Sequence, residues 1–348
     1  DPACGSGNFL IIAFKELRKL EMEIIKRLQE LDQNDNQDDL FGDVGLDSSF
    51  SRIKLSQFYG IELDDFAHEV AILSLWLAEH QMNREFKVEF GESPPSLPLQ
   101  KSGNVFCGNA TTTNWYDICP NDKGIQVFVV GNPPYQGFKN QSEKQKKDMM
   151  HVLGEIKGYK SLDFISCWFY LAAKYITPSV KSAFVTTNSV CQGAQVELLW
   201  PSIYNSNVEI SFAVQPFKWT NNAKKNAGVT CVIIGLRSLT NDKKYIYSSQ
   251  HRATVKNINS YLIDGENIVV SKEKKSISEL PRITDGCGAL DGGHLILNDQ
   301  EKVELLRAFP DSSRYIKRYI GSNEFIKGIL RWCLWFDDED MPSAKEIE

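Results

Sequence analysis

The chain has 348 residues, 42% apolar and 24% charged, a balance that suits a globular fold and excludes disordered, collagen-like and coiled-coil chains. A formal net charge of −6 excludes a uniformly basic nucleic-acid binder, while leaving room for a local basic groove. No apolar run approaches a membrane span, no signal peptide is visible, and the eight cysteines form no Cys-x-x-Cys pair, so a reducing, cytoplasmic compartment is expected.

The chain opens on Asp1-Pro2-Ala3-Cys4-Gly5-Ser6-Gly7-Asn8, a turn of the kind that follows a strand. It therefore reads as a segment of a longer protein, truncated before Asp1. A helix comes next, because Phe9, Ile12, Ala13, Leu17, Leu20, Ile24, Leu28 and Leu31 recur at three- and four-residue steps. It runs into an acidic polar stretch, and residues 32–52 are expected to form a surface insertion. A short strand, Gln57 to Ile61, leads through Glu62-Leu63-Asp64-Asp65 to a helix from about Phe66 to His80, with Asp64 or Asp65 as its cap.

Beyond a proline-rich loop and Asn104 to Asn109, the apolar run Ile125 to Val130 predicts a strand buried on both faces. It ends at Gly131-Asn132-Pro133-Pro134-Tyr135. A basic loop (Lys139, Lys144, Lys146, Lys147) is expected next. The pattern then predicts a helix over 162–176, a strand over 183–187, a helix over 196–204, and strands over 208–214 and 229–236. Strands alternating with helices predict a doubly wound α/β sheet with right-handed crossovers. Ligands of such sheets sit at the carboxyl ends of the strands, where residues 1–9, 60–65 and 131–135 all fall. Past residue 240 the pattern weakens. Residues 1–240 read as the catalytic domain, and 241–348 as a connector and the start of another domain, with a helix over 305–319 and an apolar stretch over 329–336.

Each motif has a plain reading beside a chemical one. Gly5 and Gly7 remove β-carbons where a ligand could approach the backbone, and the following helix start offers free N–H groups. With the Asp1 charge this could cradle an amino acid's ammonium and carboxylate, or it could be an ordinary strand-to-helix turn. Glu62 could accept ribose hydroxyls, or act as a helix-capping acid. Asn132-Pro133-Pro134-Tyr135 is more specific. Its prolines fix the backbone and remove two donors, so the Asn132 side-chain oxygen and a proline carbonyl can both accept from one exocyclic amine. Tyr135 offers a face for a base. Together the three clusters describe methyl transfer from S-adenosylmethionine to a planar amine, and no cysteine follows the prolines to supply the thiolate of carbon-5 cytosine chemistry.

The segments DPACGSGNF, GIELDD and GNPPY resemble motifs I, II and IV of amino-group DNA methyltransferases in gamma-class order. FYGIELDDFAHEVAILSLWLAEHQMN, SAFVTTNSVCQGAQVELLWPSIY and FKWTNNAKKNAGVTCVIIGL are similar to the methyltransferase region of MmeI-like restriction–modification enzymes, over about residues 1–236. GSNEFIKGILRWCLW is similar to the segment leading into that family's target-recognition domain. The resemblance implies a Rossmann-like S-adenosylmethionine-dependent methyltransferase fold, an adenine-N6 product and duplex DNA as partner. It also implies a nuclease and the remaining target-recognition domain on the same full-length polypeptide. Asp1, Ala3, Gly5 and Gly7 would line the methionine part of the cofactor, Glu62 the ribose and Leu63 the adenine. Asn109 stands where many relatives carry an Asp that reads the adenine amine. Asn132, Pro133, Pro134 and Tyr135 would hold the target base, with Phe217 preferred over Trp219 as a second stacking ring on motif position. Lys139 to Lys147, Lys224 and Lys225 could meet DNA phosphate or form solvated loops. No metal site is expected from the five histidines. The rival readings are methylation of a protein glutamine or an RNA adenine, and a catalytically inert DNA-binding scaffold.

Overall fold

The computed structural model describes residues 1–34, 51–91, 104–122, 124–218, 229–249, 251–271, 292–337 and 339–340. They fall into two units, Asp1–Lys272 and Glu273–Glu348.

In the first unit the opening turn enters helix α1 (Asn8–Asn34). Strand β1 (Tyr59–Glu62) passes through helix α2 (Asp65–Phe90) to strand β2 (Asn104–Cys107), which pairs parallel to β1. Parallel neighbours need such a crossover, since a tight turn would reverse the chain. Asp64 is the cap of α2: its carboxylate accepts the Ala67 N–H at 2.8 Å. The helix continues past His80 because nothing before Gly91 breaks it, and Gly91 ends it at φ 82°.

Helix α1 buries a different face from the one its periodicity suggests. Leu10 and Phe14 pack with Ala71, Leu75 and Ala78 of α2, whereas Ile12, Leu20 and Ile24 are 64%, 52% and 51% exposed. The small alanines of α2 admit the bulky Leu10 and Phe14, and that contact sets the rotation of α1. Arg18 on the same face is buried, with its guanidinium against the Phe14 and Phe86 rings and a 3.0 Å bond to Asn83 Oδ1.

After the short helix α3 (Trp115–Ile118), strand β3 (Val127–Gly131) crosses through α4 (Glu143–Leu153) and α5 (Ser166–Tyr175) to the parallel strand β4 (Val180–Thr187). Helix α6 (Gly193–Tyr204) precedes β5 (Val208–Lys218), β6 (Thr230–Ser238), β7 (Lys244–Tyr247) and β8 (Arg252–Val255). These strands form one mixed sheet in the order β3-β4-β6-β5-β7-β8. Phe169, Phe184 and Trp200 anchor the core between this sheet and helices α5 and α6. A buried ion network ties three strands together: Glu209 meets Arg237 at 2.9 Å and Lys244 at 2.8 Å.

Three expectations change. Strand β3 is not buried on both faces: Val129 joins the core with the α5 and α6 residues, while Phe128, on the opposite face, is 60% exposed. The basic stretch after Tyr135 is largely helix α4, closed at its start by a Ser142–Gln145 capping box. The sheet also extends beyond residue 240, since β7 and β8 join it.

In the second unit, β9 (Ile296–Leu297) leads into α7 (Asp299–Ala308), then β10 (Ile316–Tyr319), α8 (Ser322–Lys327) and β11 (Arg331–Leu334). The strands form an antiparallel sheet in the order β10-β11-β9. The helix expected over 305–319 stops at Ala308, because Pro310 starts a separate 3-10 turn. Gly292 and Gly293 both take positive φ in a turn.

Candidate active site

The turn before α1, the end of β1 and the end of β3 meet around Asp1. The Asp1 nitrogen donates to the Tyr59 carbonyl at 2.8 Å, and the Asp1 carbonyl accepts the Ile61 N–H at 2.9 Å. Its carboxylate accepts the Ala3 N–H at 3.0 Å. Gly5 and Gly7 take φ values of 53° and 85°, in the left-handed region that favours glycine. Gly7 also lies close to α2, so that an added β-carbon would sit 3.4 Å from Ala71. Around Gly5 nothing lies within 4 Å of that position, and the backbone stays open there.

Glu62 closes the turn. Its Oε2 accepts the Gly5 N–H at 2.8 Å and its Oε1 accepts the Asp64 N–H at 2.9 Å. The glycine turn and the acidic end of β1 are therefore one hydrogen-bonded unit. Leu63, beside it, is 54% exposed. Across β2, Asn109 caps its own loop: its Oδ1 accepts both the backbone N–H and the hydroxyl of Thr111, and its Nδ2 donates to Asp148 of α4 at 3.1 Å.

Gly131 at the end of β3 brings the proline turn alongside, because only a glycine leaves room for the Asp1 carboxylate. Pro133 is buried and Pro134 exposed. The Asn132 Oδ1 is buried and has no hydrogen-bond partner within the protein. Such an acceptor costs free energy unless something outside the protein donates to it. Tyr135 lies beside Asn132 and Cys231. Burial and the Cys231 thiol push the phenol above its ordinary range, while Asn132 pulls it back. Burial likewise raises the Cys231 thiol, with the Tyr135 hydroxyl pulling the other way, which disfavours the thiolate there. In the β5–β6 ladder Cys231 pairs with Phe217, just after a register shift between Val214 and Phe217. Asn132, Tyr135 and Phe217 thus share one neighbourhood. Trp219, Lys224 and Lys225 lie outside the described residues, as do residues 35–50 of the expected insertion.

Some anchoring groups escape a reading of the sequence. The Asp163 carboxylate accepts the Gln136 N–H at 2.8 Å and the Ile165 N–H at 3.3 Å, fastening the residue after Tyr135 to the start of α5. Gln141 donates to the Gln136 and Leu162 carbonyls. Trp168 donates to the Pro2 carbonyl at 3.0 Å and holds the first turn from α5. Of the expected phosphate contacts, Lys146 is paired with Glu143 at 2.7 Å, and Lys139 lies over the Phe138 ring.

A glycine turn and a proline-locked asparagine, meeting at the carboxyl ends of parallel strands, are the marks of an α/β methyltransferase, and comparison with known proteins makes the class definite. Residues 1–248 match the MmeI DNA-methyltransferase domain and residues 264–348 the MmeI target-recognition domain. DNA methyltransferase A of Bacillus subtilis strain 168 is 48% identical over 348 residues, which cover 99% of this chain and 38% of that protein. The solved type IIL restriction–modification enzyme MmeI in complex with DNA superposes with a TM-score of 0.89 at 37% identity, covering 100% of this chain and 46% of that one. The chain belongs to the MmeI DNA-methyltransferase family, as its motifs suggest. It spans less than half the length of either relative. Among the described residues no helix is long and apolar enough to cross a membrane.

Proposed function

We propose that the chain is the catalytic portion of a site-specific DNA methyltransferase that uses S-adenosylmethionine to methylate the N6 amine of adenine. The target is duplex DNA with that base flipped out. The full-length protein is a cytoplasmic restriction–modification polypeptide that also holds a nuclease and the rest of the target-recognition domain. One observation carries this reading: a buried, unpartnered Asn132 Oδ1 on a proline-stiffened turn, beside an open glycine cradle.

The residues present fit the cofactor. The space around Gly5, whose N–H is held by Glu62, leaves room for the methionine part, the Asp1 charge suits its ammonium group, and Glu62 the ribose hydroxyls. Ala3 and Gly7 complete the methionine cradle, and Leu63 flanks the adenine. When bound, S-adenosylmethionine supplies a methyl carbon activated by its sulfonium. Asn132 Oδ1 and a proline carbonyl accept both N–H groups of the target amine and concentrate its lone pair toward the cradle. Tyr135 and Phe217 stack on the extruded base and recover part of the few kcal/mol that flipping costs. Cys231, the described thiol beside this pocket, is held in its neutral form by burial, which favours an amine over cytosine carbon-5.

Sequencing with modified-base detection, on DNA from cells expressing the full-length protein, tests this reading. N6-methyladenine at one recurring sequence is expected, and it should vanish in cells carrying Asn132→Ala. Methylation of cytosine, or an unchanged adenine signal in the variant, would overturn the assignment.

A further inference from the structure

We propose that Asp148 is the acceptor for the exocyclic amine of the cofactor's adenine, with Asn109 as the donor beside it. This rests on the cofactor reading above. The Gly108 N–H donates to the Glu62 carbonyl at 2.7 Å, so Asn109 leaves β2 one strand across from the carboxylate assigned to the ribose. The base of the same nucleoside belongs on that side.

Asn109 cannot itself accept the amine. Its Oδ1 already receives the Thr111 N–H at 3.0 Å and the Thr111 hydroxyl at 2.7 Å, which fills both lone pairs. The amide cannot turn over, because its NH2 group would then face the Thr111 N–H. Held this way, Nδ2 donates one hydrogen to Asp148 Oδ2 at 3.1 Å and keeps a second. Asp148 is only 9% exposed. A buried carboxylate takes no donor role and demands more than one hydrogen bond. The pair therefore presents an N–H donor next to an acceptor oxygen. An adenine edge presents the complement, a ring nitrogen that accepts next to an amine that donates.

Asp148 could instead act only as a clamp on the 109–112 turn, and ligand discrimination separates the two roles. The measurement is calorimetric titration of the full-length protein with S-adenosylhomocysteine and with S-inosylhomocysteine, in which a carbonyl replaces the amine and the ring nitrogen carries hydrogen. The wild-type protein should prefer the amine form at least about tenfold, the effect of a hydrogen bond to a charged group. Asp148→Asn, which keeps an acceptor for Asn109 and gains a donor for the carbonyl, should narrow that preference about tenfold. Weakening of both ligands alike, with the preference unchanged, would overturn the proposal. A check without any variant uses the analogue bearing hydrogen in place of the amine: it should bind the wild-type protein about tenfold more weakly, and equal binding also overturns the proposal. Binding of none of the three would remove the cofactor reading, and this inference with it.

Discussion

The carboxylate of Asp1 occupies the place of the side chain that Gly131 lacks. An ideal β-carbon on Gly131 would lie 2.5 Å from Asp1 Oδ1, the oxygen that accepts the Ala3 N–H. The end of β3 can therefore lie against the first turn, and the proline turn that follows shares its cleft. Gly131→Ala should force the carboxylate off Ala3 and loosen the cradle. The expected cost is about 1–3 kcal/mol of stability, as for other overpacked sites. Affinity for S-adenosylmethionine should fall by about tenfold, for one hydrogen bond to a charged group. Thermal melting and calorimetry on the same variant check both; unchanged cofactor affinity would show that the contact is mere packing.

Asn132 gives a prediction of opposite sign for stability and activity. Its Oδ1 is buried without a partner, so the unliganded fold bears the desolvation of that atom. Asn132→Ala should leave the melting temperature unchanged or raised, and cofactor binding nearly intact. Methyl transfer should fall by at least about 10²–10³, the effect of losing one placed polar group at a reacting centre. A fall in melting temperature with partial activity would mean that Asn132 is structural.

What the sequence revealed, and what it hid, divides by distance along the chain. The glycine turn, the Asp64 cap and the Asn132–Tyr135 turn are local patterns, and each lies where its residues indicate. The basic stretch after Tyr135 has the charge of a solvated loop, but the Ser142–Gln145 capping box within it starts a helix. The apolar stripe of α1 named the helix but not its buried face, which the alanines of α2 decide. Asp163 and Asp148 were invisible: their partners lie 27 and 39 residues away, and a single acidic residue in an amphipathic segment carries no signature.

Asp163 fastens the exit of the proline turn, and its two substitutions should behave differently. Burial raises its carboxyl above the usual range, while the N–H groups of Ile165, Gln136 and Phe164 lower it again. A raised folded value means that the neutral form is favoured in the fold. That contribution is present below the unfolded value and is lost as pH rises through the folded one. Asp163→Asn keeps the acceptor and removes the charge, so it should hold or raise the melting temperature at pH 7 and flatten its decline from pH 4 upward. Asp163→Ala orphans the Gln136 N–H and should cost about 1–3 kcal/mol. Melts of both variants across pH 4–8 decide the matter, and equal loss in the two would exclude this reading.

The cysteines offer a test of the thiol chemistry. Cys107 is exposed, while Cys4 is 6% exposed, and burial pushes its thiol up to about 11. The neutral thiol is therefore favoured in the fold, and that contribution fades as pH rises from the ordinary value toward 11. With iodoacetamide at pH 8, Cys107 should be alkylated in the native protein, and Cys4 and Cys231 only after unfolding. Peptide mass mapping reads this directly. Rapid native labelling of Cys231 would reveal a thiolate beside Tyr135 and reopen carbon-5 chemistry.

Phe217 is tied to the target-base pocket through Cys231, its partner across the β5–β6 ladder and the neighbour of the Tyr135 hydroxyl. If its ring stacks on the extruded base, its loss should matter most when extrusion is hardest. Phe217→Ala should lower methyl transfer to fully paired DNA by about 1–3 kcal/mol of stacking, or roughly tenfold to a hundredfold. Transfer to DNA mismatched at the target should fall much less, because a mismatched base is already easier to flip. Single-turnover rates on the two duplexes give the ratio. An equal fall on both would reduce Phe217 to an anchor of the sheet, and the same selective pattern in Trp219→Ala alone would move the stacking role two residues along the chain.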